Sequence, residues 1–230
     1  MIPLKDDNPR TAYPIVTISL IVINVLVHLY VLSLPAGYAE LFYRSYGAIP
    51  AAIVQGEGLS RLFTSMFLHG GIMHLGGNML YLYIFGDNVE NSMGSGRFLL
   101  FYLLSGLAAA LTHIIFSPMS TIPMIGASGA ISGVLGAYAL TFPGARVLVV
   151  IPIFIFLQTF YIPAVVVLFF WFFMQLGSGL LSLGAGSGGG IAWFAHVGGF
   201  VAGMALVKRF VRYPPYRLGA PPPRYFDDDF

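Results

Sequence analysis

The chain has 230 residues, of which 57% are hydrophobic and only 9% are charged. A soluble globular domain carries about a quarter charged residues, so this composition excludes a soluble globular enzyme. Disorder over most of the length is also excluded, because it requires few apolar residues and a high net charge, whereas the formal charge is +2. The absence of cysteine excludes disulfides, thiolate metal sites and a cysteine nucleophile. Most of the chain is therefore predicted to lie in lipid.

Stretches free of Asp, Glu, Lys and Arg provide room for six membrane-spanning helices, since one span needs about 20 apolar residues. Residues 11–39 and 62–86 can each hold one span, whereas residues 98–145 and 147–207 can each hold two. The predicted fold is all-α, a six-helix membrane bundle within residues 1–212, with spans at 13–34, 71–85, 98–116, 127–142, 162–180 and 192–210.

Basic residues are distributed unequally between the two sides of these spans. With the N-terminus inside, nine of the eleven Lys and Arg residues fall in cytoplasmic segments, and only Arg44 and Arg61 fall outside. Lys and Arg accumulate in cytoplasmic loops, so both termini are predicted to be cytoplasmic. The first span has no cleavage site after it and is expected to be retained. The proline-rich, acidic-ended tail, residues 213–230, is predicted to be disordered.

Two segments between the spans are apolar but do not read as simple membrane helices. Residues 35–60 contain several aromatic residues and are expected to lie in the outer interface. Residues 147–160, interrupted by Pro152, are expected to be partly interfacial before the fifth span begins.

Few polar residues lie at membrane depth, where an unpaired polar group is costly. His74 and Asn78 open the second span, Ser128 opens the fourth, and His196 lies early in the sixth. All three spans run from outside to inside in the predicted topology, so these residues share one depth. A serine, two histidines and an asparagine are thereby predicted to converge from three separate parts of the sequence.

This set of residues has the chemistry of nucleophilic catalysis. A serine hydroxyl becomes a good nucleophile when a base accepts its proton, and Ser128 and His196 supply that pair. His74 and Asn78 are four residues apart, so a helix places both on one face, where they can donate hydrogen bonds to an oxyanion. No acidic residue lies within the predicted spans, which indicates a dyad and not a triad.

Small residues recur at helical spacing near the proposed dyad. Ser128, Ser132 and Gly136 form one stripe in the fourth span, and further pairs follow at Gly129 and Gly133 and at Gly199 and Gly203. Such stripes allow helices to approach closely in lipid, which would bring a short serine side chain to an imidazole. Glycine and serine also pack membrane helices generally, so the stripes alone do not indicate an enzyme.

These motifs together resemble the rhomboid family of intramembrane serine proteases. The resemblance covers roughly residues 59–208 and rests on LFTSMFLHGG at 62–71, His74, Asn78, GASG at 126–129, and AHVGG at 195–199 with Gly203. It implies Ser128 as nucleophile, His196 as general base, and His74 and Asn78 as oxyanion-hole donors. It also implies a lateral gate at the fifth span and structural support from His69, Arg61, Glu90, Gly126, Gly129, Gly199 and Gly203.

The sequence departs from the family pattern at two positions. Many bacterial members carry an aromatic residue four positions after the serine, stacked on the histidine, and Ser132 stands there in this chain. Before Arg61 they often carry tryptophan, and here the residue is Ser60. The first departure raises the question of what supports the imidazole of His196.

The sequence gives less support to other roles for these polar residues. A zinc site of His69, His74 and His196 would lack the carboxylate that zinc hydrolases pair with their ligands. A transporter or channel would require charged residues facing a pore. His28 and His113 receive no role, and Asp87 and Glu90 are expected to form a charge cluster with Arg97.

The sequence thus predicts a serine endopeptidase that cleaves other membrane proteins in or near their transmembrane segments. The alternative is a catalytically silent rhomboid-like protein that binds transmembrane helices. Transmembrane substrates and the lipid bilayer are the expected partners, with no nucleic acid, cofactor or metal. The expected location is a prokaryotic plasma membrane, with the active site towards the extracytoplasmic side.

Overall fold

Nine α-helices, three β-strands and one 3-10 helix (Ser65–Phe67) lie in the part of the chain that the structure describes. The structure is a computed structural model and describes residues 2–9, 12–153, 156–184 and 192–212. The strands are β1 (Ile2–Asp6), β2 (Arg146–Ile153) and β3 (Phe156–Pro163). The helices are α1 (Ile15–Ser33), α2 (Tyr38–Tyr46), α3 (Pro50–Val54), α4 (Arg61–Thr64), α5 (Ile72–Met93), α6 (Ser95–Phe116), α7 (Ser128–Thr141), α8 (Ala164–Gly184) and α9 (Trp193–Phe210). The predicted disordered tail lies outside the described residues.

The six longest helices coincide with the six predicted spans. α1, α6 and residues Ala164–Ser182 of α8 are long and apolar enough to cross a membrane, and α7 is a shorter apolar helix. α5 and α9 include the polar residues of the predicted site and charged residues near their C-terminal ends. The structure is therefore mostly helical, and the count of six membrane crossings stays a prediction.

α5 continues to Met93, past the predicted end of the second span at residue 85. The buried carboxylate of Glu90 near its C-terminus is tolerated because it accepts several hydrogen bonds. Glu90 is 1% exposed, and its two carboxylate oxygens accept the N–H groups of Val16 and Thr17 at 3.0 and 2.7 Å. The hydroxyl of Ser95 donates to the same carboxylate at 2.6 Å. Glu90 thus binds the first turn of α1, and the predicted cluster with Arg97 is wrong in this respect.

A three-stranded antiparallel sheet in the order β1-β2-β3 corrects the all-α prediction. Val147 and Val149 are fully buried, whereas Leu148 and Val150, which alternate with them along β2, are half-buried. Side chains that alternate between two faces define a strand, but all four are apolar, so the period of two was hidden in a continuous apolar run. The segment predicted as partly interfacial forms β2 and most of β3, and its position at the membrane interface stays a prediction.

Both ends of the described chain lie at one end of the helix bundle. The N–H of Asp7 donates to the carbonyl of Arg146 at 3.0 Å, and the N–H of Arg212 donates to the carbonyl of Ser92 at 2.8 Å. Arg97 donates to the carbonyl of Arg209 at 3.2 Å. The predicted cytoplasmic segments are thus neighbours in space, while the side of the membrane they occupy stays a prediction.

α7 lies at the centre of the bundle and packs closely against α9. Nearly every residue of α7 is buried. A Cβ atom at Gly199 would collide with the carbonyl oxygen of Gly129, and one at Gly203 would collide with that of Gly133. A Cβ at Gly136 would meet the carbonyl of Phe200 in the same way. Glycines on both helices therefore let the two backbones touch, as small residues do in membrane bundles.

Candidate functional site

Ser128 and His196 are hydrogen-bonded to each other. Ser128 is the first residue of α7, and His196 lies in the first turn of α9. The hydroxyl oxygen of Ser128 is 2.8 Å from Nε2 of His196. Because α7 and α9 are in backbone contact next to these residues, a side chain as short as serine reaches the imidazole ring. The structure thereby brings together two residues that lie 68 positions apart in the sequence.

A cavity of about 520 Å³ lies over this pair. Its lining includes Ser128, His196, His74 and Asn78, the four residues predicted to converge. Ser128 and His196 are both half-buried as whole residues, and both line this cavity. Such a concave, largely apolar space with a few convergent polar groups is typical of a binding or catalytic site.

Gly126 brings the ring of His74 to the start of α7. The backbone of Gly126 has a φ of 125°, in a region that side chains disfavour. A Cβ atom there would lie 2.8 Å from Nε2 of His74 and 3.6 Å from the hydroxyl oxygen of Ser128. His74 and Ser128 therefore flank the same glycine, and the ring nitrogen of His74 lies close to the region above the serine.

Asn78 is held in place by His69. The side-chain nitrogen of Asn78 is 2.8 Å from Nε2 of His69. A carboxamide has two N–H donors, so one remains after this bond is made. His69 is itself 1% exposed, and its carbonyl oxygen accepts from the hydroxyl of Tyr43 at 2.8 Å and from Nδ1 of His28 at 3.2 Å. His28, to which the sequence assigned no role, thus contacts the segment that carries the site.

Gln175 of α8 is a site residue that the sequence reasoning missed. Its side-chain oxygen is 2.7 Å from Nδ1 of His196, on the opposite side of the ring from Ser128. The indole rings of Trp171 and Trp193 lie 5.8 and 6.4 Å from the imidazole, measured between ring centroids. The available signal was a carboxamide side chain inside an otherwise largely apolar helix.

Ser132 does not take over the role of the family's aromatic residue. Its hydroxyl donates to the carbonyl of Ser128 at 2.6 Å, one turn back along α7. The side chain is 1% exposed and is therefore used within its own helix. The ring contacts of His196 come instead from α8 and from the residue at the start of α9.

Besides His69, the residues predicted as structural support fall in four places. Gly126 and Gly129 line the cavity, and Gly199 and Gly203 lie in the contact between α7 and α9. Arg61 begins α4, where its guanidine stem lies beside Gly58, a glycine with a φ of 65°. Glu90 binds the start of α1, as described above. Their predicted supporting roles remain predictions.

No carboxylate hydrogen-bonds to His196 within the described ranges. The titratable groups that act on its ring are His74 of α5 and His113 of α6. In the same part of the chain, no group of three or more His, Asp or Glu residues is arranged to hold a metal ion. The polar contacts of the imidazole are therefore Ser128 and Gln175.

Comparison with known proteins gives the family. A family model of the Rhomboid domain matches residues 56–213. Rhomboid protease GluP of Bacillus subtilis (strain 168) is 51% identical over 85 residues, which is 37% of this chain and 16% of GluP. Putative rhomboid protease YdcA of the same organism is 34% identical over 138 residues, covering 59% of this chain and 67% of YdcA. The chain belongs to the rhomboid family, and the resemblance seen in the sequence is confirmed.

Another relative carries a different description. Inactive rhomboid protein 1 of Drosophila melanogaster is 35% identical over 79 residues, which is 34% of this chain and 5% of that protein. This chain therefore matches only a small part of the length of GluP and of Inactive rhomboid protein 1. The family is one of integral membrane proteins that are typically serine proteases, and it includes inactive members.

Proposed function

We propose that this protein is an intramembrane serine endopeptidase that cleaves membrane proteins in or near their transmembrane segments. The observation that carries the proposal is the 2.8 Å contact between Ser128 and Nε2 of His196 at the wall of an open cavity. Nucleophile and base within hydrogen-bond reach, beside donors for an oxyanion, are the arrangement that acyl transfer requires.

The first half of the reaction forms an ester. The hydroxyl oxygen of Ser128 attacks the carbonyl carbon of the scissile peptide bond, and its proton passes to Nε2 of His196. The peptide C–N bond then breaks, and the protonated His196 gives this proton to the leaving amine. In the second half, water attacks the ester carbonyl while His196 accepts a proton, which returns to Ser128 when the acid is released.

The oxyanion formed in each half needs hydrogen-bond donors in fixed positions. The imidazole of His74 lies beside Gly126 close to Ser128, and Asn78 retains one N–H after bonding to His69. Ser128 is also the first residue of α7, where backbone N–H groups have no partner in a preceding turn. Removing one such donor typically costs about 100- to 1000-fold in kcat.

The substrate must expose its peptide bond before it can be cut. A helix hides its carbonyl groups in hydrogen bonds, so a substrate with helix-weakening residues and a small side chain at the scissile bond fits the site. A prokaryotic plasma membrane, with the cavity towards the extracytoplasmic side, is the proposed location. The orientation of the cavity is inferred from the distribution of basic residues between the two sides.

A silent protein that binds transmembrane helices is the alternative function. It is favoured by the similarity to Inactive rhomboid protein 1 of Drosophila melanogaster. The presence of both Ser128 and His196 in one hydrogen bond favours the protease. The two proposals differ in whether the serine hydroxyl reacts.

The test uses the full chain in detergent or liposomes with a model substrate that has one transmembrane span. We expect wild type to cleave the substrate and to be labelled by a fluorophosphonate probe, whereas Ser128→Ala and His196→Ala do neither. The matched control is Ser33→Ala, since Ser33 is an exposed serine at the C-terminal end of α1 whose hydroxyl bonds within its own helix.

The alternative, a catalytically silent protein that binds transmembrane helices, predicts the opposite result for the same samples. Wild type would bind a transmembrane helix but would neither cleave substrates nor react with the probe. Cleavage that survives in Ser128→Ala would also contradict the proposed mechanism, because no other described serine is hydrogen-bonded to His196.

A further inference from the structure

Gln175 forms the second hydrogen bond of the His196 ring. The two ring nitrogens have different partners. Nε2 faces the hydroxyl of Ser128 at 2.8 Å, and Nδ1 faces the side-chain oxygen of Gln175 at 2.7 Å. A neutral imidazole has one N–H donor and one acceptor nitrogen. An oxygen acceptor at Nδ1 therefore requires the proton to be on Nδ1, which leaves Nε2 free to accept from the serine.

With the carboxamide oxygen of Gln175 facing Nδ1, the neutral form of His196 that carries its proton on Nδ1 is favoured. With the proton on Nε2 instead, the imidazole would donate to Ser128 and could not accept its proton. In a serine protease triad an acidic residue enforces the productive form, and here no carboxylate among the described residues bonds to His196. Gln175 is the group that meets Nδ1.

Resting on the proposed function, we infer that Gln175 is the positioning residue for the general base. It fixes the productive tautomer and the ring orientation of His196 from α8, and does so without an acidic residue. It does not contact the reacting atoms itself. It therefore fills the structural role that Ser132, bonded within α7, does not fill.

The location of Gln175 on a third helix has a mechanical consequence. Ser128 and His196 lie on α7 and α9, whose backbones touch through glycines, whereas Gln175 reaches the ring from α8. The outer side of α8 is apolar and exposed, as at Phe173 and Met174. A displacement of α8 by about 1 Å would stretch a 2.7 Å hydrogen bond beyond its useful range while leaving the serine and histidine in contact.

The groups around His196 bear on any pH measurement. α7 presents the hydroxyl of Ser128, and α8 presents Gln175 and the indole of Trp171. The titratable groups are the imidazoles of His74 on α5 and His113 on α6. Neither residue changes in the variants below, so a shift in the pH profile reports on Nδ1 of His196.

The experiment compares Gln175→Leu and Gln175→Glu with wild type in liposomes. We expect Gln175→Leu to lower kcat about 10- to 100-fold with KM changed less than about twofold, because the base is misplaced but the substrate cavity remains. Gln175→Glu keeps an acceptor at Nδ1 and should recover most of kcat. Its carboxylate favours the imidazolium, so the acidic limb of the pH profile should move to higher pH.

The matched control is Met174→Ala on the same helix. Met174 is 54% exposed and precedes Gln175, so its truncation changes α8 without touching the imidazole. It should leave kcat and the pH profile as in wild type. Equal losses in Met174→Ala and Gln175→Leu would overturn the inference, since they would point to a general effect on α8.

A second measurement does not depend on activity. In ¹⁵N spectra of histidine-labelled protein near neutral pH, the His196 signals are identified by their loss in His196→Asn. Wild type should show a protonated Nδ1 and an unprotonated Nε2, and Gln175→Leu should show a mixture of both tautomers. Identical tautomer populations in the two proteins would refute the role of Gln175. A wild type that cleaves nothing would refute the proposed function instead.

Discussion

The contact between α7 and α9 makes Gly199→Ala a sharp perturbation of the site. Gly199 lies three residues after His196, and Gly129 directly follows Ser128. An added Cβ at position 199 would collide with the carbonyl oxygen of Gly129 and lie 3.2 Å from the Cβ of Ser132. A carbon atom needs about 3.3–3.6 Å from a carbonyl oxygen, so the two backbones must separate by about 1 Å.

This separation should act on the dyad more than on the fold. Added to the present 2.8 Å, it takes the distance between Ser128 and Nε2 of His196 beyond the range of a hydrogen bond. Overpacking of this kind costs about 1–3 kcal/mol of stability. The loss of alignment between nucleophile and base should lower kcat about 100-fold, as a 1 Å misplacement can do.

The assay is the rate of fluorophosphonate labelling and substrate cleavage, together with thermal unfolding in detergent. Gly96→Ala is the control, since Gly96 lies in α6 with no atom within 4 Å of an added Cβ. We expect Gly96→Ala to match wild type in both activity and stability. If Gly199→Ala also labels at the wild-type rate with an unchanged melting temperature, the close approach of α7 and α9 does not align the dyad.

Three further predictions concern other parts of the molecule. Glu90→Ala removes the acceptor of two α1 N–H groups and should lower the free energy of unfolding by about 3 kcal/mol, measured by thermal denaturation, while the pH optimum of cleavage stays unchanged. Burial raises the pKa of Asp6 to about 6 from the ordinary 3.8, so the folded state holds its proton more tightly. This contribution to stability is complete below about pH 3.8 and is lost as the pH rises through about 6. Comparing unfolding of wild type and Asp6→Asn across this range should show the dependence in wild type only, and parallel curves would contradict it. Gly126→Ala forces a side chain into a φ of 125° and against His74, so cleavage should fall more than about 10-fold; an unchanged kcat would exclude His74 from oxyanion binding.

The positions of the long helices follow from the sequence because lipid imposes a simple constraint. A helix of apolar residues satisfies its own backbone hydrogen bonds, so length and hydrophobicity locate it. Residues 98–116 were predicted as a span, and α6 runs from Ser95 to Phe116. Residues 127–142 were predicted, and α7 runs from Ser128 to Thr141.

The same reasoning fails where polar or charged groups find distant partners. α5 extends to Met93 because the carboxylate of Glu90 is hydrogen-bonded to the backbone of α1. Local sequence rules do not anticipate this pairing between distant segments. β2 and β3 were missed because both faces of β2 are apolar, although the turn at Pro143 and Gly144 separates β2 from α7. Hydrophobicity then marks burial but does not distinguish a strand from a helix.

The candidate site likewise contains residues that the sequence identifies and one that only the packing of the helices reveals. Ser128, His196, His74 and Asn78 stand out by sequence because polar groups at membrane depth are costly and few, and their residue types match one chemistry. Gln175 is one of a few uncharged polar residues on α8, a helix whose sequence indicates only a membrane span. Its distance to His196 depends on how α8 packs against α9. The sequence by itself identified Ser128, His196, His74 and Asn78 as candidate site residues, because polar groups at membrane depth are few. The tertiary structure decided that they line one cavity and that Gln175 joins them, because hydrogen bonds between helices depend on packing.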